Sequence, residues 1–562
     1  MNAEALLQHF ERNTDTPDAI GRLRRFVLDL AVRGKLVSQD SKEEPAAGLL
    51  ARISVEKARL LATGEVRTPK TLPRIADVPF EIPQSWRWTQ IAEIGLLSPR
   101  NAAADDLPAS FVPMTLITAE YGAAHGNEVR PWGEIKNGYT HFANGDVGLA
   151  KITPCFENGK STVFRSLSSG IGSGTTELHV VRPLFVTAEY VALFLKCPHF
   201  IEAGIPKMTG TAGQKRVPTE YFAYSAFPLP PLAEQDRIVA KVNELMALCD
   251  QLEAARAKRE AARDRLAAAT LARLNVPDPV TFADDARFAL DVLPALTARP
   301  DQVKQLRQTI LDLAIRGKLV AQDPGDEAFH DLFKRVSFSK SDLSGASRCQ
   351  DTDIDGLPAN WIAAKISEIA NVGTGLTPSR SKPEYFEPAD IPWVTSGETS
   401  DAFVNSAVQH VSTLALKETS LKVYPPGTLL IAMYGQGKTR GQVTELNIAA
   451  TTNQACAAIV LLVADEAHRR YVKIFFQKMY DEIRERSAGG AQPNLNVGKI
   501  KSTAIPLPPI AEQHRIVAKV TELMALCDRL EASVSAGEVC RCRLLDALIS
   551  QSLEPADSFE RT

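Results

Sequence analysis

Residues 432–439 read AMYGQGKT: a small residue, four variable positions, then Gly-Lys-Thr, the permissive pattern of a phosphate loop. Such a loop holds nucleotide phosphates when a buried strand leads into it and a helix follows, because the helix's N-terminal amides and dipole face the anion. The strand is present as TLLIAM. The helix is not, since Arg440-Gly441-Gln442-Val443-Thr444 is glycine-broken and β-branched. An earlier segment, PCFENGKS at 154–161, keeps Gly-Lys-hydroxyl but carries Pro154 where Ala432 stands. ATP binding by this chain is therefore not expected.

The features common to both loops suit a different anion. Lysine and hydroxyl side chains bind phosphate oxygens, glycine permits close backbone approach, and a polar or aromatic tip can reach base edges. On this basis Lys151, Asn158, Lys160 and Ser161 in the first loop, with Phe156 and Glu157 beside them, are candidate DNA contacts. Tyr434, Gln436, Lys438, Thr439 and Arg440 are their counterparts in the second. Two polar, glycine-bearing runs add Lys215 and Arg216 (MTGTAGQKRVP, 208–218) and Asn494, Asn496 and Lys499 (SAGGAQPNLNVGK, 487–499), although solvated loops have the same composition.

Catalytic chemistry finds less support. An adenine methyltransferase holds its flipped base with an Asn/Asp/Ser-Pro-Pro-aromatic segment. The Pro-Pro pairs here read Leu-Pro-Pro-Leu, Leu-Pro-Pro-Ile and Tyr-Pro-Pro-Gly. A nuclease assembled from Asp146, Glu157 and Lys160 would face Thr428, Gln436 and Lys438 in the second copy, which lacks the carboxylates to hold a metal. Val372-Gly373-Thr374-Gly375 lacks the strand-helix context of a cofactor fingerprint, and Cys540-Arg541-Cys542 is too isolated to be a metal site. No catalytic or metal-ligating residue is assigned.

The elements that must position these loops are written twice. PLPPLAEQDRIVAKVNELMALCDQLEA from Pro228 returns from Pro506 with differences at only four of 27 positions, and LDLAVRGKLVSQD from Leu28 returns from Leu311 with two of 13 changed. IPQSWRWTQIAEI around Trp86 answers LPANWIAAKISEI around Trp361 more loosely. Helices kept nearly identical while the regions between them drifted imply one shared structural task and two different recognition tasks. Decay of one copy is the alternative, but both variable regions keep strand runs, aromatic residues and glycine loops.

After each Pro-Pro, apolar residues step by four and three: Ile238, Val242, Leu245, Cys249 and Leu252, then Ile516, Val520, Leu523, Cys527 and Leu530. This is the seam of a coiled coil. A helix from about residue 233 to 274 would be roughly 60 Å long. Paired antiparallel with its copy, it would bury both seams and hold two variable domains apart about an approximate two-fold axis; a coiled coil that only dimerises the chain has the same heptads. In LRRFVLDLAVRGKL, Arg33 and Lys35, like Arg316 and Lys318, stand where cations would cap a helix end, with partner docking as a second reading.

Composition sets the outer limits. The chain has 562 residues, 44% hydrophobic and 23% charged, with a formal charge of −3, so DNA binding would need local basic patches or shared partners. Eight scattered cysteines fit a reducing compartment. The N-terminal residues lack the order of a signal peptide, and the apolar run at 455–464 is too short to span a bilayer. A cytoplasmic protein without membrane association is expected.

At the paired PLPP…EQ…RIV segments, the paired LDLAxRGKL segments and the loops AKITPCFENGKS and AMYGQGKTRG, the chain resembles the specificity subunit of type I restriction-modification systems. The segment VGTGLTPSRSKPEYFEPADIPWVTSGE at 372–398 looks like the opening of a target-recognition domain of that family. The resemblance implies a non-catalytic subunit in which each of two domains reads one half of a split, asymmetric double-stranded DNA site. Two modification subunits would dock on the helices and carry S-adenosylmethionine, and restriction subunits would bring ATP-driven, Mg-dependent chemistry; this chain would hold no cofactor itself. The expected fold is α+β, two β-rich mixed target-recognition domains joined by two long antiparallel helices in a coiled coil with a pseudo-two-fold internal repeat. Expected boundaries are 1–75 (N-terminal helical segment), 76–230 (first recognition domain), 231–330 (central helical region), 331–508 (second recognition domain) and 509–562 (C-terminal spacer helix). The rival classes are a stand-alone DNA methyltransferase or nuclease, and a coiled-coil scaffold without a DNA role.

Overall fold

The computed structural model describes residues 18–65, 71–75, 78–211, 213–276, 278, 280–329, 331, 357–434, 439–487 and 495–553. The chain forms two compact units, one made of residues 1–260 with 538–562 and the other of residues 261–537. Among the described residues no helix is long and apolar enough to cross a membrane.

The first unit opens with helices α1 (Ala19–Val32) and α2 (Ala46–Ala62). Strand β1 (Arg87–Gln90) then pairs antiparallel with β10 (Ala226–Leu229), closing the β region at its base. Pro228 is tolerated in β10 because the sheet has only two strands, and its carbonyl accepts the Tyr190 hydroxyl at 2.9 Å. Between these strands, β2 (Gly95–Leu97), β6 (Val147–Ala150), β7 (Ser161–Val163) and β9 (Leu178–Pro183) form a sheet in the order β2-β9-β6-β7. A second sheet runs β4-β3-β8-β5, from β3 (Pro108–Val112), β4 (Glu128–Pro131), β5 (Thr140–Ala143) and β8 (Ile171–Gly174). Helix α3 (Ala188–Lys196) covers the first sheet, and α4 (Leu232–Asn275) begins directly after Pro230-Pro231, where proline suits a helix's first turn.

The second unit repeats this plan. Helices α5 (Phe282–Asp291) and α6 (Pro300–Ile315) lead to β11 (Ile362–Lys365), which pairs with β20 (Ala504–Leu507) as β1 does with β10. A five-stranded sheet runs β12-β19-β16-β17-β14, comprising β12 (Ala370–Thr374), β14 (Phe403–Val404), β16 (Leu429–Ala432), β17 (Val443–Leu446) and β19 (Cys456–Leu461). Its first four strands keep the order of β2-β9-β6-β7. The smaller sheet is different: β15 (Gln409–Val411), β13 (Ile391–Val394) and β18 (Thr451–Thr452). Helix α7 (Glu466–Ser487) takes the place of α3, and short α8 (Val497–Ser502) precedes β20 and α9 (Ile510–Leu553).

The repeated residues make repeated contacts. Glu512 is buried at the start of α9 and accepts Gln322 Nε2 at 2.6 Å and Trp361 Nε1 at 3.0 Å. Glu234, buried at the start of α4, accepts Gln39 at 2.6 Å. Burial raises both carboxyls above the usual range, and their hydrogen bonds, from Trp361 and Gln322 on Glu512 and from Gln39 on Glu234, pull against it. Arg24 forks onto Asp250 and Glu253 at 2.6 and 2.7 Å, and Arg307 onto Asp528 and Glu531 at 2.7 and 3.0 Å.

At the end of α1, Gly34 has φ +68°, with Lys35 N–H donating to Leu30 O at 3.0 Å and Gly34 N–H to Ala31 O at 3.4 Å, the Schellman pattern. Gly317 has φ +67°, and Lys318 donates to Leu313 O at 2.9 Å. Glycine is needed for space as well as for φ. A Cβ would meet Pro83 at 2.5 Å in the first unit and Pro358 at 2.6 Å in the second. Arg33 does not cap carbonyls as its position suggested: its Nε pairs with Asp29 at 2.9 Å and its guanidinium lies over the Phe80 ring.

The apolar seam is inside, but its first turns serve the unit's own core. Ile238, Val242 and Leu245 pack in the cluster that holds Trp86, Tyr190 and Phe227, and Ile516 and Val520 join Trp361 and Tyr471 in the second unit. Cys249 and half-buried Leu252 meet α1 and Leu545, from the far end of α9. Cys527 is buried, with Leu523 packed beside it, and Leu530 is half-buried.

Candidate nucleic-acid interface

In both units the Gly-Lys segment joins antiparallel strands. Strand β6 pairs with β7, Val147 opposite Val163, and β16 pairs with β17, Leu429 opposite Glu445. The chain leaves each loop as a strand. Among the described residues no helix follows either loop, which is not the geometry of a phosphate loop.

The first loop is a compact turn. Asn158 N–H donates to Pro154 O at 3.0 Å, Lys160 N–H to Cys155 O at 3.0 Å, and Gly159, at φ +67°, allows the reversal. Phe156 is fully buried in the core near Phe200, so it anchors the turn and does not present a face outward. Glu157 and Asn158 are exposed at the tip, and Lys151 and Lys160 are half-buried. Ser161 is buried, with its hydroxyl on Gly159 O at 3.4 Å, and serves the turn from below.

Two separately identified segments meet here. Thr153 N–H donates to Lys215 O at 2.9 Å and Val217 N–H to Lys151 O at 2.8 Å, so the 208–218 run lies beside the loop. Lys215 is exposed. Arg216 is committed to Glu177, its Nε and Nη2 contacting the carboxylate at 2.8 to 3.1 Å, which holds that carboxyl below its usual range. His179 closes the end of the run on Val217 O at 3.0 Å and stacks on Phe222; burial keeps its pKa low. Asp146, the carboxylate a nuclease would need, is 1% exposed and bound by Arg182 Nε and Nη2 at 2.8 and 2.9 Å, in a forked pair with no room for a metal.

In the second unit, Tyr434 is 48% exposed at the end of β16, and Thr439 and Arg440 lead back into β17. Gly441, at φ +83°, donates to Ala432 O at 2.7 Å. Gln436, Lys438 and Asn494 lie outside the described residues. Asn496 caps α8, accepting Lys499 N–H at 2.8 Å, and Lys499 is exposed. The sequence reading missed a convergence beside this hairpin. Met433 N–H donates to Ala455 O at 2.7 Å, while the Thr377 hydroxyl bonds to Gln454. This brings the 374–381 turn, with exposed Arg380, to the same edge. The polar TPSRS and TTNQ runs were the available signal.

Residues 358–536 match the family model described as type I restriction modification DNA specificity domain. The chain is 35% identical over 560 residues to the type I restriction enzyme EcoEI specificity subunit of Escherichia coli, covering 95% of this chain and 94% of that protein. It is 33% identical to the EcoAI specificity subunit of the same organism, again over 95% of this chain and 94% of the relative. A solved HsdS subunit from Thermoanaerobacter tengcongensis aligns with TM-score 0.44 and 19% identity, over 84% of this chain and 98% of that one. The chain belongs to the type I restriction enzyme specificity subunits, the non-catalytic DNA-recognition subunits of these systems.

Proposed function

We propose that each unit reads one half of a bipartite, asymmetric DNA site. The first target-recognition domain spans 76–230 and the second 331–508; helical segments at 1–75, 231–330 and 509–562 frame them. The long helices pair antiparallel as a coiled coil, set the gap between the half-sites and dock two modification subunits. S-adenosylmethionine belongs to those subunits, and ATP and Mg to the restriction subunits. The reading loops are 151–161 with 208–218 in the first domain, and 433–440 with 487–499 in the second.

The observation that carries this reading is the unequal treatment of the two copies. The helix starts, the Glu-Gln contact and the arginine forks recur nearly unchanged, whereas the loops between the matching strands, PCFENGKS and AMYGQGKT, differ in side-chain chemistry. Two dissimilar readers on matched supports are suited to an asymmetric target, as paired half-sites are to symmetric dimers. Replacing residues 90–225 with the matching region of another family member is expected to change one half of the modified sequence and leave the other intact. Sequencing of modified sites reads this directly; a change in both halves would contradict modular reading.

A further inference from the structure

Lys196 ends α3, and its Nζ donates to two backbone carbonyls, Ala119 O at 3.0 Å and Gly159 O at 3.1 Å. Gly159 is the left-handed residue of the 151–160 turn, and Ala119 belongs to the exposed segment between β3 and β4. The peptide that follows Gly159 is held at both ends, its N–H donating to Cys155 O at 3.0 Å and its carbonyl accepting Lys196. That peptide joins Gly159 to Lys160, so its orientation decides where Lys160 and the neighbouring tip point. Burial pushes the Lys196 ammonium down to about 8, so holding a charge here is itself costly. A methionine would fill the same channel without that cost.

The second unit provides an internal contrast. By alignment on Tyr190 and Tyr471, which make the same bond to Pro228 O and Pro506 O, the residue matching Lys196 is Gln477, which is exposed. On the same helix, Lys473 donates instead to Ala402 O and lies over the Phe403 ring.

We propose that Lys196 is a positioning residue that locks the Gly159 peptide and the 119 segment together, and so determines base preference in the first half-site alone. This rests on the reading of 151–161 as a DNA-contacting loop. A purely structural lysine would act through the stability of the first unit, which the melting temperature reads.

The test uses the full chain assembled with its modification subunits and a pool of duplexes randomised at both half-sites. Lys196→Met is expected to lower preference for the cognate bases of the first half by about tenfold, comparable to one mismatched pair, and to leave the second half unchanged. Its melting temperature should be equal or higher, and amide exchange at 158–160 faster. Lys196→Arg, which keeps donors in place, should retain most of the preference. Asn158→Ala separates the two claims. If it shifts first-half preference while Lys196→Met does not, the lock is wrong and the loop reading stands. If neither variant shifts preference, both fail. Loss of first-half preference accompanied by a lowered melting temperature would overturn the positioning role.

Discussion

At the scale of single residues, composition singled out candidate loops but not the duties of the side chains within them. Phe156, Asn158 and Ser161 are all plausible DNA contacts by type, yet only Asn158 is exposed; Phe156 lies in the core and Ser161 supports the turn. Arg216 is taken up by Glu177, 39 positions away, a pairing that no local pattern reports. Lys196 was invisible in the sequence because a lysine at a helix end reads as a cap. The anchoring role of Phe156 has a consequence for stability. Phe156→Ala should destabilise the first unit by about 3–5 kcal/mol, as for other large-to-small core changes, whereas Asn158→Ala should leave denaturant midpoints nearly unchanged. Equal midpoints for the two variants would remove the anchor.

At the scale of elements, the start of each long helix was legible because Pro-Pro fixes it, and α4 and α9 begin at Leu232 and Ile510 directly after the prolines. The seam was legible as burial but not as partnership. Periodicity tells which face leaves water, not what covers it, and here Ile238, Val242 and Leu245 are covered by their own unit's core. The repeated glycine carried more than its capping role suggested, since both copies press against a proline and a tryptophan. Gly34→Ala and Gly317→Ala should each cost more than about 1 kcal/mol, because positive φ and the missing space act together. Thermal unfolding of the two variants checks this; a neutral or stabilising alanine at either position would show that the Pro-Trp packing tolerates a side chain.

At the scale of the whole molecule, the duplication was the most informative feature of the sequence. It gave the order of helix, Pro-Trp entry, β-rich region, Pro-rich exit and long helix in each unit from local similarity, while the strand pairs that close each β region emerge only in the fold. The smaller sheets, β4-β3-β8-β5 and β15-β13-β18, were not legible, because the two copies have diverged there and short strands separated by long turns leave weak patterns. That divergence is what the account requires of two readers with different targets. Its central claim is tested most directly by sequencing the sites that the native complex modifies in a genome. The expected result is two dissimilar short sequences separated by a constant gap of unspecified bases. A single uninterrupted sequence, or two identical inverted halves, would contradict it.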